Sequence, residues 1–169
     1  RDMIMADDIE GIDTTAFGDG ADTQPQVSIL TQYVKDLSFE NPNAPQSLQM
    51  ETAPRIEINV NVNARRVSED MFEVELKIEA KAFNGDAAAF VVELLYGGLF
   101  GLRNVPAEAL EPFLVVEAPR ILFPFARRIV ADATRDGGYP PLLLEPIDFA
   151  SLYMQQQAGN AGQPSVGNA

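Results

Sequence analysis

Arg55-Ile-Glu-Ile-Asn-Val-Asn-Val-Asn63 and, a short break later, Phe72-Glu-Val-Glu-Leu-Lys-Ile-Glu79 are the stretches that decide the fold. In the first, Ile56, Ile58, Val60 and Val62 interleave with Glu57, Asn59, Asn61 and Asn63. In the second, Phe72, Val74, Leu76 and Ile78 interleave with Glu73, Glu75, Lys77 and Glu79. Successive side chains of a strand point to opposite faces, so strict alternation collects the apolar groups on one side and leaves the other wet. Parallel sheets are covered on both faces, so one wet face marks an antiparallel sheet.

Two further segments extend the pattern. Between about Val27 and Glu40, Leu37 and Phe39 oppose Asp36, Ser38 and Glu40; from Ala88 to Tyr96, Phe90, Val92, Leu94 and Tyr96 oppose Val91, Glu93 and Leu95. Asn84-Gly85 supplies two residues that accept positive φ, which predicts a type I′ hairpin between the third and fourth strands. The connection from Asn41 to Pro54 holds Pro42, Pro45 and Pro54. It is too long and too stiff for a hairpin and is expected to cross the sheet.

After Gly97-Gly98 a helical pattern is expected. Pro106 suits a first turn, Leu110, Phe113 and Leu114 share a face, and Pro119 is expected to interrupt. A second helix is predicted over Ile121 to Arg135, stopped by Gly137-Gly138, and a last one from Ile147 to about Gln157 with Asp148 as its N-cap. The expected fold is α+β: a four-stranded antiparallel β-sheet with C-terminal helices packed on one face.

Composition narrows the chemistry. The 169 residues are 46% hydrophobic but hold no His, no Cys and no Trp, which removes the commonest acid-base group, metal ligand and thiol nucleophile. No cofactor or metal is expected, and binding is favoured over catalysis. A net charge of −13, from 12 Lys and Arg against 25 Asp and Glu, argues against nucleic acid and anionic membranes and for a basic partner. No run approaches a membrane span and no signal-peptide pattern opens the chain, so a cytoplasmic protein without membrane insertion is expected. Arg1 in first place implies processing or added residues, with Met3 or Met5 as native start. Residues 1–26, rich in carboxylates, read as a disordered acidic arm, residues 27–158 as the folded domain, and residues 159–169 as a flexible tail.

Two surfaces stand out. On the wet sheet face, alternate positions place Asp36, Glu40, Glu57, Glu73, Glu75, Glu79 and Glu93 against Arg55, Lys77 and Lys81. Glu93 sits between apolar Val91 and Leu95, a mixture suited to a basic, partly apolar partner. The second surface is apolar: Ile121, Phe123, Phe125 and Ile129 surround their helix, which therefore needs cover on a second side, most simply from another copy of the chain. Leu48 and Met50 in the crossing loop, with Phe149, Leu152, Tyr153 and Met154 in the last helix, are ordinary core and interface or the lining of a groove for unfolded apolar segments.

Four ordered motifs carry a family resemblance: Lys35-Asp-Leu-Ser-Phe-Glu-Asn-Pro-Asn-Ala-Pro45, Tyr96-Gly-Gly-Leu-Phe100, Ala118-Pro-Arg-Ile-Leu-Phe-Pro-Phe-Ala-Arg127, and Pro146-Ile-Asp-Phe149 followed by Gln155-Gln-Gln157. From about residue 27 to 158 the chain resembles the bacterial protein-export chaperones of the SecB family. That resemblance implies a SecB-like fold, a homotetramer built as a dimer of dimers, and ATP-independent holding of unfolded precursor proteins for delivery to the ATPase SecA. It implies that SecA's basic, zinc-containing C-terminal segment docks at Asp36, Glu40, Val91 and Glu93. It also implies that clients lie in a groove formed by Leu48, Met50, Ile56, Ile58, Phe149, Leu152, Tyr153 and Met154, where members often carry an aromatic residue at the position of Thr52. Three rivals remain: a SecB-like chaperone dedicated to a toxin-antitoxin system, a structural oligomer without clients, and carboxylate-pair glycoside hydrolysis, which the open sheet face disfavours.

Overall fold

A computed structural model describes residues 23–161. The acidic arm and the tail lie outside the described residues except for 23–26 and 159–161, and there the first strand already begins at Gln26 and the last helix still runs to Ala161. Four long strands, β1 (Gln26–Glu40), β2 (Arg55–Ser68), β3 (Met71–Asn84) and β4 (Ala87–Arg103), form one antiparallel sheet in the order β1-β4-β3-β2. Because β1 and β2 are opposite edges, the Asn41–Pro54 connection crosses the whole sheet, as its length requires.

The β3–β4 turn differs from the expected one. Asn84 pairs with Ala87, so Gly85 and Asp86 are the central residues, and Gly85 alone of the two has positive φ, +62°. Glycine in the first central position is the type II′ pattern. A second difference is the length of β4, which continues through Gly97-Gly98 to Arg103. The glycines do not end the strand; they thin it on both faces. A Cβ on Gly98 would stand 2.7 Å from Leu122 Cδ2 on the helix side, and one on Gly97 would strike the Tyr33 ring on the other.

Helical structure runs from Ala107 to Asp136 without the break expected at Pro119. It comprises α1 (Ala107–Pro112), a π-helical turn (Phe113–Glu117) and α2 (Ala118–Asp136). The wide turn explains the continuity: the Ala118 N–H bonds to the Phe113 carbonyl five residues back, and Pro119 falls in the first turn of α2, where its missing N–H costs little. The helix ends at Gly137, and Gly138 takes φ +94°. After an extended segment, α3 (Phe149–Ala161) begins where Asp148 Oδ1 accepts the Ser151 N–H at 3.0 Å.

Leu122, Ala126 and Val130 of α2 pack on Val74, Leu76 and Ile78 of β3 and on Val92, Leu94 and Phe100 of β4, all essentially inaccessible to solvent. Fully burying each of the Val, Leu, Ile and Phe side chains contributes roughly 1.5–3 kcal/mol. The helix covers the two central strands and leaves the apolar rows of both edge strands open: Val27, Ile29, Val34 and Leu37 on β1, and Ile56 and Ile58 on β2.

Candidate functional site

On the sheet face away from the helices, register places Glu40 opposite Val91, Ser38 opposite Glu93 and Asp36 opposite Leu95. The four residues expected to dock a basic partner thus occupy three adjacent rows of one face. Glu93 lies directly across from Glu79, and Lys81 bridges that repulsion by an ion pair to Glu79 at 2.9 Å. The Glu79 contact raises the Lys81 pKa, and the charges of Glu93 and Glu57 add to it.

Two bulges bend β1, one between Ile29 and Thr31 and one between Val34 and Asp36. The second leaves Lys35 as an extra residue, so Tyr33 and Asp36, three positions apart, point to the same face. Beside it a polar cage closes over Glu73. Tyr33 donates its hydroxyl to Oε2, Arg65 Nε donates to Oε1 at 2.9 Å, and Lys35 Nζ reaches Oε1 at 3.2 Å and Glu75 Oε1 at 2.6 Å. The Tyr33 hydrogen bond leads in holding the Glu73 carboxyl down to about 2, with Arg65 and Lys35 assisting against burial. Burial, then Glu73, pushes Tyr33 up to about 12. Glu73 is therefore a buried structural carboxylate, not part of the exposed acidic field where alternation alone had put it. Two bases that alternation did not assign to this face, Lys35 and Arg65, join it.

The expected groove residues fall in separate places. Leu48 and Met50 line a cavity of about 280 Å³ between the crossing loop and Gly138–Pro140. Ile58 and Val60 line another, about 250 Å³, against Leu143, Leu144 and Ile147. The segment after α2 walls both, so they follow one another along the β2 edge of the sheet. Tyr153 and Met154 face a third, apolar cavity of about 640 Å³ with Val27, Pro106 and Phe113. Phe149 lines none of these: it is buried, its ring 6.2 Å from that of Phe123. Leu152 is half-buried against the core. The crossing loop is pinned rather than loose, since Asn41 Nδ2 bonds the Gly137 carbonyl at 2.9 Å and Asn43 Nδ2 the Ala88 carbonyl at 2.7 Å. Beneath it the Tyr139 hydroxyl stands 2.8 Å from Asn41 Oδ1, 2.7 Å from Ser47 Oγ and 2.9 Å from the Ala89 carbonyl.

Of the expected contact residues on α2, Phe123 is buried against the chain's own core. Ile121 and Ile129 are half-buried, and Phe125 is 46% exposed. The larger open apolar row is on edge strand β1, where Val27 and Val34 are 48% and 46% exposed. Sequence alternation identified that face as apolar but gave no sign that the helix would stop short of it.

One antiparallel sheet with a helix over its centre is a fold shared with a SecB-like chaperone. A solved structure of a Mycobacterium tuberculosis SecB-like chaperone, bound to a peptide from an antitoxin, superposes with a TM-score of 0.56 at 21% identity, covering 72% of this chain and 90% of that one. The family model described as preprotein translocase subunit SecB matches residues 20–160. The protein-export protein SecB of Rhizorhabdus wittichii is 56% identical over 152 residues, 90% of either chain. That of Zymomonas mobilis is 59% identical over 138 residues, covering 80% of this chain and 84% of its own. The chain belongs to the SecB family.

Proposed function

We propose that this chain is an ATP-independent protein-export chaperone that holds precursor polypeptides unfolded and passes them to SecA. The observation that carries this reading is the pair of clefts on the β2 side, one with Leu48 and Met50 under the crossing loop and one lined by Ile58, Val60, Leu143 and Leu144, in a chain whose relatives are protein-export proteins. Apolar contact is non-directional and favours exposed apolar segments over any one sequence, and native proteins hide such segments. Holding of this kind is a chaperone's work rather than an enzyme's.

Docking of SecA's basic, zinc-containing segment is assigned to Asp36, Glu40, Val91 and Glu93, whose rows adjoin on the acidic face. Assembly to a dimer of dimers is assigned to the open row of β1 and to Phe125, because an exposed edge strand with apolar flanks is otherwise prone to uncontrolled pairing. Several clefts on one tetramer then strengthen capture through effective concentration. A role dedicated to an antitoxin finds less support: the relative bound to such a peptide is 21% identical and shares the fold.

The test is refolding of a denatured secretory precursor with a stoichiometric amount of the tetramer and no nucleotide. Arrested refolding is the expected result; unhindered refolding beside an intact tetramer would overturn the assignment.

A further inference from the structure

The bulge in β1 puts Tyr33 on the same face as the docking carboxylates. Tyr33 and Asp36 are three positions apart, and in an unbroken strand that odd spacing sends them to opposite faces. With the extra residue in place, Tyr33 pairs with Gly97, Val34 with Tyr96 and Asp36 with Leu95, so Asp36 comes outward beside Glu93 and Leu37 turns inward. The extra residue of a bulge lacks the cross-strand pairing of its neighbours, so its side-chain contacts add to what holds it in place. Lys35 grips firmly: its Nζ spans to Glu73 at 3.2 Å and Glu75 at 2.6 Å on β3, across the full width of β4. The Tyr33 ring, lying on Gly97 and bonded to Glu73, fixes the strand on the other side of the bulge.

We infer that Lys35 is a positioning residue for partner docking: by clamping the bulge to Glu73 and Glu75, it sets the register that presents the Asp36 carboxylate beside Glu93 and Glu40. The inference rests on the docking role given to that face above. It has a sign opposite to simple electrostatics. Removing a lysine from an acidic surface makes the field more negative and strengthens binding of a basic partner. Removing a clamp lets Asp36 leave the face and weakens it.

The experiment is calorimetric titration of the zinc-loaded C-terminal segment of SecA into the full-length oligomer at physiological ionic strength. The proteins compared are the parent, Lys35→Met, Lys35→Arg, Asp36→Asn, Glu93→Lys and the Lys35→Met/Asp36→Asn double variant. Lys35→Met is expected to weaken binding about fivefold, a coupling of about 1 kcal/mol. Lys35→Arg, which keeps a cation within reach of both carboxylates, is expected to retain most of the affinity. Asp36→Asn is expected to weaken binding, and adding Lys35→Met to it to change nothing further, since the clamp acts through Asp36. Lys35→Gln replaces Lys35→Met should the latter not assemble. Equal or tighter binding by Lys35→Met overturns the positioning role while Asp36→Asn still weakens binding. Unchanged binding in both Asp36→Asn and Glu93→Lys sinks the docking reading itself, and the inference with it.

Discussion

The ring of Tyr33 lies over Gly97 so closely that a Cβ there would stand 2.5 Å from Tyr33 Cε2 and 3.0 Å from Cζ. The two residues are paired across β1 and β4, and the missing side chain lets the tyrosine reach the buried Glu73 beyond. Gly97→Ala therefore forces the ring off its seat. The expected loss is about 1–3 kcal/mol in denaturant unfolding, the usual range for overpacking. In a Tyr33→Ala background the same change is expected to cost much less, because nothing remains to displace. Equal costs in the two backgrounds would show that the glycine serves the strand and not the ring.

Glu73 predicts an acid dependence. Its carboxyl titrates near 2 in the folded chain against an ordinary value of 4.5, because Tyr33, Arg65 and Lys35 all favour the ionised form. A group with a depressed folded pKa contributes stability that is complete above the ordinary value and is lost as pH falls toward the folded one. At pH 7 Glu73→Gln should cost on the order of 1–3 kcal/mol. That difference from the parent should shrink between pH 4.5 and about 2. Tyr33 works in the opposite direction: its pKa is raised from 10.0 to about 12, so its share is complete below 10 and fades as pH climbs beyond. Melting curves of parent and Glu73→Gln across pH 2–7 check the acid limb, and a pH-independent difference would refute it.

Much of this was legible in the sequence, for physical reasons that also mark where legibility ends. The 2-residue period of Ile56–Val62 and Phe72–Ile78 is imposed by a sheet with one wet face, and it gives these strands and their faces. Gly97-Gly98 misled because glycine signals both a strand end and a thin place in a strand, and only Tyr33 on one side and Leu122 on the other decide between them. Pro119 does not break the helix because it falls in the first turn of α2, directly after the π turn, where a missing N–H costs little. Glu73 looked solvated by period, yet its burial depends on Lys35 and Arg65 from two other strands. The bulge at Lys35 shows in the sequence only as a phase break, Val34 and Leu37 standing three residues apart in one apolar row. Phe149 and Phe123 pack on each other inside the single chain, a pairing that helix periodicity does not show because it gives the apolar side but not which neighbour covers it.

Glu93 offers a cleaner electrostatic test than the caged carboxylates. It faces Glu79 across the strand pair and adds to the field on Lys81, but no ion pair of its own neutralises it among the described residues. Glu93→Lys is expected to leave folding and precursor holding intact and to weaken binding of the SecA segment by at least tenfold at physiological salt, with the gap narrowing as salt screens the face. A binding titration at two ionic strengths checks this, and equal affinity for variant and parent would remove Glu93 from the docking surface.

Met50 and Phe149 separate capture from architecture. Met50 is 48% exposed at the rim of the crossing-loop cavity, whereas Phe149 is 1% exposed against Phe123. A charge at position 50 stays in contact with water, so Met50→Asp should leave melting temperature and oligomer size unchanged. It places a carboxylate where a client's apolar side chain would lie, and desolvating that group opposes binding by roughly 1–3 kcal/mol. Refolding of a denatured precursor should therefore be arrested less well, by about tenfold in the chaperone concentration needed. Phe149→Ala should do the reverse, costing about 3–5 kcal/mol of stability through an emptied core site. Capture by Phe149→Ala should be lost only under conditions where the domain itself melts. If Met50→Asp held precursors as well as the parent, the crossing-loop cavity would not be part of the groove, and the clefts along β2 at Ile58 would have to carry clients without it.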